Sequence, residues 1–302
     1  MSLIEKVRAT MKSTDIEGWF ELYFTRLPGY LWAVFFKVLH VHPIAVTLMS
    51  IVLGAVAGYC FYFDSIYWTL LGILLLLWAN WFDCADGQLA RMTDQRTLIG
   101  RILDGFAGDV WFFSIYFFIC LRLTPEWGIW IWLLCAWSGF RCHGRQCAVA
   151  DYYRNIHLWV QFGSEKAELD DFQSVKAEFD SKKWRWKNGE WFEKLYLYFY
   201  GVYTDGQEKQ TPDFQRLRLA MKEKGMKELP DGLRQNFRAE SKKLMFSCQV
   251  MTFDERAGLL FLSMLIGLPW LYPVVECTLI EILRYRTIRV HEKLCRDTLE
   301  KL

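Results

Sequence analysis

Paired cysteines are missing from this sequence. Its nine cysteines are scattered, and Cys142 and Cys147 miss the C-x2-C spacing of a zinc site. That excludes a disulfide scaffold or zinc ribbon, and most of the cysteines read as small apolar core residues. An excess of one charge is also missing. The net charge of +2 gives no pull towards nucleic acid. The opening stretch, MSLIEKVRATMKSTD, is too polar for a cleavable signal peptide. There is no internal repeat and no low-complexity tract. His40, His42, His157 and His291 are scattered and receive no functional role.

Long apolar runs are present. The chain has 302 residues, 53% hydrophobic and 17% aromatic. Runs of membrane-span length place it among membrane proteins, although a polar block from about 164 to 243 holds the mean hydropathy near zero. The fold class expected is all-α, a polytopic membrane protein. Residues 1–43 form cytoplasmic and interfacial N-terminal helices. Within them, Gly18 to His40 is aromatic with Arg26 and Lys37 embedded, which suits a helix lying in the interface. An imperfect first span is the other reading of that stretch.

Residues 44–160 hold spans one to four: about 44–63, 66–91, 99–121 and 127–140, the last continuing as a polar helix. Gly54 and Gly58, with Ala55 and Ala57, give span one a small-residue face for close packing. Residues 161–250 form a helical cytoplasmic insertion, with turn signals at Asn188-Gly189, Asp205-Gly206, Thr211-Pro212 and Pro230-Asp231-Gly232. Its aromatic, basic middle suits contact with a membrane surface, or with a second copy. Residues 251–302 hold the last apolar run, about 257–283, and the tail. Lys and Arg collect before span one, after spans two and four, and in the tail, so these are expected to be cytoplasmic. Both termini on one side require an even number of spans. The run containing Gly267-Leu268-Pro269 is therefore read as two helices, giving six spans.

The charged residues between and within spans two and three are the functional signal. Asp83, Asp86, Arg91, Arg101, Asp104 and Asp109 occupy a stretch where charge is costly unless it faces a cavity, a metal or a partner. Asp83 and Asp86 share a helix face, and Asp104 meets them if spans two and three form a hairpin through the turn near 93–97. Carboxylates without His or Cys suit Mg²⁺, Mn²⁺ or Ca²⁺. An ion-pair network with Arg91 and Arg101 is the plainer explanation of the same acids.

The spacing Asp83-x2-Asp86-Gly87-x2-Ala90-Arg91-x8-Gly100-x3-Asp104 resembles the signature of the CDP-alcohol phosphotransferase family of membrane enzymes. That family's pattern ends with a fourth aspartate four residues after the third. Here that position is Gly108 and the aspartate comes one later, as Asp109. The family also often opens span one with Pro-Asn and a nearby hydroxyl residue. Pro43 and Thr47 fit, whereas Ile44 stands where Asn is usual.

The resemblance implies a two-metal Mg²⁺ or Mn²⁺ site on Asp83, Asp86, Asp104 and Asp109, with Asp109 as general base. It also implies a CDP-binding face on Gly87, Ala90, Arg91 and Gly100. Gly100 is expected to let span three approach span two. Asp109 overshoots the required face by about 100°, which a one-residue π-bulge corrects. Arg141, His143 and Arg145 are candidates for an acceptor phosphate, or ordinary cytoplasmic flanking charge.

The implied reaction transfers a phosphoalcohol group from a CDP-alcohol, CDP-diacylglycerol being favoured, to an acceptor alcohol with release of CMP. Transfer of a CDP-linked polar head to a lipid alcohol is the alternative. A catalytically inactive scaffold or lipid binder of the same fold, and a cation transporter, are the readings from other classes. A homodimer is compatible with the glycine-rich spans.

Overall fold

The computed structural model describes all residues except 1, 12, 164–166, 168 and 184–189, and it leaves the side chains of 98, 101 and 190 undescribed. Every element among the described residues is helical. The chain divides into two units, Met1–Cys142 with Arg256–Cys277, and His143–Glu255 with Thr278–Leu302.

The first unit opens with α1 (Leu3–Arg8) and a π turn (Glu21–Arg26) that runs into α2 (Leu27–Val38). Then come α3 (Pro43–Cys60), α4 (Ile66–Thr93), α5 (Leu98–Trp127) and α6 (Ile129–Ala136). Among the described residues, three helical stretches are long and apolar enough to cross a membrane: Pro43–Cys60, Ile66–Thr93 and Ile102–Trp127. These are the expected spans one to three. The aromatic segment before them is not one of the three.

α3 packs against both α4 and α5, and small residues make this possible. A Cβ on Gly54 would stand 2.0 Å from the Trp111 ring, and one on Gly58 would stand 2.8 Å from the Ile115 backbone nitrogen. Hydroxyls and an indole then bond to neighbouring backbones. Ser50 Oγ donates to the Ala79 carbonyl (3.0 Å), Ser114 Oγ to Ala55 (2.8 Å), and Trp111 Nε1 to Ser50 (3.1 Å). In a medium where apolar contact alone discriminates weakly, close approach and such bonds select the partners. The glycine face expected on span one is therefore the α3–α5 seam.

Gly100 does not serve the purpose expected of it. A Cβ there would meet Thr97 Oγ1 at 3.1 Å and Ile44 of α3 at 3.8 Å, so it faces its own cap and span one, not span two.

α2 lies along α4. Trp32 and Phe36 set their rings edge-on to Phe82, at 5.0 and 5.2 Å between centroids. Trp81 Nε1 donates to the Phe24 carbonyl at 2.8 Å. Gly29 permits this contact, since a Cβ there would be 2.8 Å from Cys84 Sγ.

The last apolar run breaks as expected. α13 (Phe253–Leu265) ends at Gly267, whose φ of +74° is the left-handed conformation glycine accepts without strain. After Pro269 the chain resumes as α14 (Leu271–Val275) and a further π turn, Glu276–Ile280. Arg256 and Glu276, both fully buried, form an ion pair. Tyr116 of α5, Ser138 and Tyr272 also donate to the Glu276 carboxylate. Nothing local in the sequence marks Arg256 as buried.

The second unit contains α7 (Gly144–Phe162), α8 (Phe172–Ser181), α9 (Glu190–Lys209), α10 (Pro212–Glu223), α11 (Asp231–Lys242), α12 (Met245–Val250) and α15 (Glu281–Leu299). Thr211-Pro212 and Pro230-Asp231-Gly232 start helices, as turn signals should. Asp205-Gly206 does not break the chain and lies inside α9. One glycine costs a helix only about 1 kcal/mol, and the Asp205–Lys209 pair one turn apart (2.6 Å) supports the continuation. Asn188-Gly189 lies outside the described residues.

Candidate active site

Each acid reaches the site by a local route. α4 carries Asp83, Asp86, Gly87 and Ala90 within two turns, so the acids and small residues form one stripe. The helix stops at Asp94, which takes the left-handed conformation (φ 54°). Thr97 then caps α5 by accepting the Gly100 N–H at 3.0 Å. This short turn makes α4 and α5 a hairpin and carries Asp104 back to Asp83 and Asp86. One carboxylate oxygen from each of the three lies within 4.8 Å of the others.

Three like charges so close are costly. Each pair repels by about 3–4 kcal/mol at an effective dielectric of 20. Arg91 forms no ion pair with Asp83 or Asp86 among the described residues. The Arg101 side chain lies outside the described set, so its part in the alternative network is not described.

Asp86 is 4% exposed and accepts the Thr47 hydroxyl of α3, which also bonds the Pro43 carbonyl at 3.2 Å. Asp83 has a buried Oδ1 with no hydrogen-bond partner. Asp104 is exposed, so the cluster opens at that side. An orphaned carboxylate oxygen inside a three-carboxylate cluster is what a hard divalent cation would satisfy. The donor set thus fits Mg²⁺ or Mn²⁺.

Beside the acids the α4 surface is open. A Cβ on Gly87 would meet only Arg91 Nη1, at 3.6 Å, and Ala90 is half-buried. Arg91 is exposed and lies over that bare patch.

The stretch from α3 to α7, which carries the acids, is the part of the chain that a known family covers. Residues 40–159 match the family of CDP-alcohol phosphatidyltransferases. The resemblance read from the aspartate spacing is thereby shown over that stretch. No curated protein and no solved structure matches. Three helices of span length among the described residues, together with a match to a membrane family over 40–159, point to an integral membrane protein. Helices α8 to α15 lie beyond the family match.

Asp109 stands apart from the three donors. α5 is a regular α-helix from Leu98 to Trp127, so the π-bulge expected between Asp104 and Asp109 is not formed. Asp109 is exposed and does not join the Asp83–Asp86–Asp104 group. Five residues on a regular helix turn it about 140° from Asp104. The phosphate candidates are also dispersed in character. Arg141 is half-buried, lies 5.9 Å from the Trp137 ring centroid and belongs to the first unit. His143 is buried and Arg145 exposed, and both belong to the second.

Sequence reasoning missed part of the site. Thr47 had been noted only as fitting a family pattern, and its contact with Asp86 gives it a positioning role. Arg26, on the π turn before α2, holds its guanidinium 2.9 Å from Glu17 and 4.0 Å from Cys84 Sγ, next to Asp83 in the chain. No signal in the sequence tied residue 26 to residue 84.

Proposed function

We propose that this protein transfers a phosphoalcohol group from a CDP-alcohol to an acceptor alcohol, releasing CMP. The observation that carries the reading is the three-carboxylate cluster with its orphaned Asp83 oxygen, inside the segment that matches the family. Asp83, Asp86 and Asp104 hold the divalent ions. When bound, Mg²⁺ or Mn²⁺ supplies charge neutralisation for the diphosphate and stabilises the attacking and leaving oxygens. Thr47 orients the Asp86 carboxylate. Gly87 and Ala90 leave room for the nucleotide, with Gly100 at the facing helix start. Arg91 reaches over that space towards a phosphate.

Asp109 is proposed as the base that takes the proton of the acceptor alcohol. That role requires α5 to gain a fraction of a turn when substrate binds. Arg141, His143 and Arg145 are proposed as the acceptor-phosphate group. CDP-diacylglycerol is the favoured donor and a small polar alcohol the favoured acceptor, with a homodimer as the assembly. We place the site and both termini on the cytoplasmic side, residues 161–250 as a cytoplasmic insertion, and α6, α13 and α14 in the remaining three of six spans.

The test is CMP release by purified full-length protein with Mn²⁺ and a panel of CDP-alcohols. Metal-dependent release that Asp83→Asn lowers at least about a hundredfold supports the proposal. Binding of a CDP-alcohol without release selects the second reading, an inactive scaffold, which the turned-away Asp109 favours. Ion flux in vesicles selects transport. Full activity in Asp109→Asn removes that residue from the proton transfer.

A further inference from the structure

The second unit contains a cluster of ligand-type side chains that neither the family match nor the proposed reaction uses. His291, Glu292 and Cys295 lie on one stretch of α15, and all three are buried, at 1%, 7% and 0% exposure. One donor atom from each lies within 4.8 Å of the others. His291 Nδ1 is 3.6 Å from Cys295 Sγ and 3.6 Å from Glu292 Oε1. Ligands around tetrahedral zinc stand about 3.3–3.8 Å apart, given Zn–N and Zn–O near 2.0–2.1 Å and Zn–S near 2.3 Å.

The Glu292 carboxylate is the informative group. Its Oε2 accepts the backbone N–H of Asp213 at 2.6 Å, but Oε1 is buried with no hydrogen-bond partner. Two arginines of the same helix are engaged elsewhere. Arg284 pairs with Glu281 at 2.6 Å and Arg296 with Asp213 at 2.7 Å. Among the described residues no lysine or arginine pairs with Glu292. A buried carboxylate without a cation costs several kcal/mol.

The geometry points to a second metal site, separate in kind from the carboxylate cluster, in which His291, Glu292 and Cys295 bind a divalent transition metal of the zinc type. A thiolate in the donor set favours zinc or cobalt over magnesium. Charge balances, because a dication meets one thiolate, one carboxylate and a neutral imidazole. Binding releases the Cys295 thiol proton to solvent.

The surroundings are buried and aromatic. Tyr153 of α7 stacks on the imidazole, with 3.9 Å between centroids and 12° between planes, and its buried hydroxyl also has no partner. Phe214 and Phe237 close the other sides of His291. The ion would tie α15 to α10 through the Asp213 N–H and to α7 through the stacked ring.

The experiment uses the full chain purified without chelator, in an Asp83→Asn/Asp104→Asn background that dismantles the carboxylate site. About one equivalent of zinc per chain is expected by elemental analysis. Cobalt exchanged into the protein is expected to show thiolate-to-cobalt charge-transfer absorption, and Cys295→Ser is expected to abolish it. If that variant does not fold, Glu292→Gln, which keeps the thiolate, is expected to weaken cobalt binding at least about tenfold. Protein that contains no zinc and shows no such absorption on cobalt loading overturns the proposal. So does absorption that survives Cys295→Ser with native helicity, or cobalt affinity unchanged in Glu292→Gln.

Discussion

The two units of this chain solve the problem of helix packing differently. In the first, α3 meets its neighbours through glycines, hydroxyls and backbone carbonyls, while apolar side chains such as Leu48, Val52, Leu70 and Phe113 stay exposed. In the second, Tyr153, Phe214 and Phe237 are buried and much of the surface is charged, while Phe199, Val202 and Ile282 are exposed as well. Such a difference is expected where the medium changes. Against lipid, an apolar side chain gains little by turning inward, so identity of partners rests on close approach and polar bonds. Against water, apolar burial is itself the driving force. The polar cluster of the first unit is therefore the costly feature, and the proposed chemistry would account for it.

The comparison can be broken most severely at Arg256. Arg256→Met leaves Glu276 buried without its cation and is expected to cost about 3–5 kcal/mol, whereas replacing both residues with apolar ones should recover only part of the loss, because Tyr116, Ser138 and Tyr272 then lose their acceptor. Thermal unfolding in detergent reads both. A Met variant as stable as the parent would show that the pair is not a structural necessity of the first unit.

Gly58→Leu comes next. The new side chain would collide with Ser114 and Ile115 on α5, and about 1–3 kcal/mol of destabilisation is expected in the same assay. Equivalent substitution at Gly232 in the second unit, where a Cβ would meet nothing within 4 Å, should be nearly silent.

Thr47→Val keeps the shape of the side chain and removes the hydroxyl that Asp86 accepts. CMP release is expected to fall about 10–100-fold, with a raised Mn²⁺ requirement and little change in stability. A variant with unaltered metal dependence would confine Thr47 to packing.

The smallest effect lies in the second unit. Asp171 caps α8, accepting the Ser174 N–H at 2.9 Å and its hydroxyl at 2.8 Å. Burial pushes its carboxyl up, but the Ser174 hydrogen bonds outweigh this and hold it below the ordinary value of 3.8. A carboxyl depressed in the folded state binds fewer protons there than in the unfolded state. Its contribution is therefore present above about pH 3.8 and is lost as pH falls through the folded value. Asp171→Ala is expected to cost α8 about 1 kcal/mol near neutral pH, read as faster amide exchange. The difference should shrink in acid, and a pH-independent difference would point to packing.

Much was legible from residue order because it depends on helix periodicity alone. The three long apolar runs, the stripe of Asp83, Gly87 and Ala90, the turn between Thr93 and Thr97, and the break at Gly267 each follow from neighbours within a turn or two. Asp109 was legible as a misfit for the same reason, since counting residues on a helix shows that five do not return to the face of four. The bulge expected to repair it did not form: α5 stays α-helical through Asp104 and Asp109.

Only the tertiary structure decided which helices meet. It set Gly100 against Ile44, brought Thr47 to Asp86 across 39 positions, paired Arg256 with Glu276, and buried His291, Glu292 and Cys295 together under Tyr153. Such contacts depend on how two remote surfaces fit. A local pattern of apolar and polar residues fixes the face a helix presents, but does not fix what that face will find.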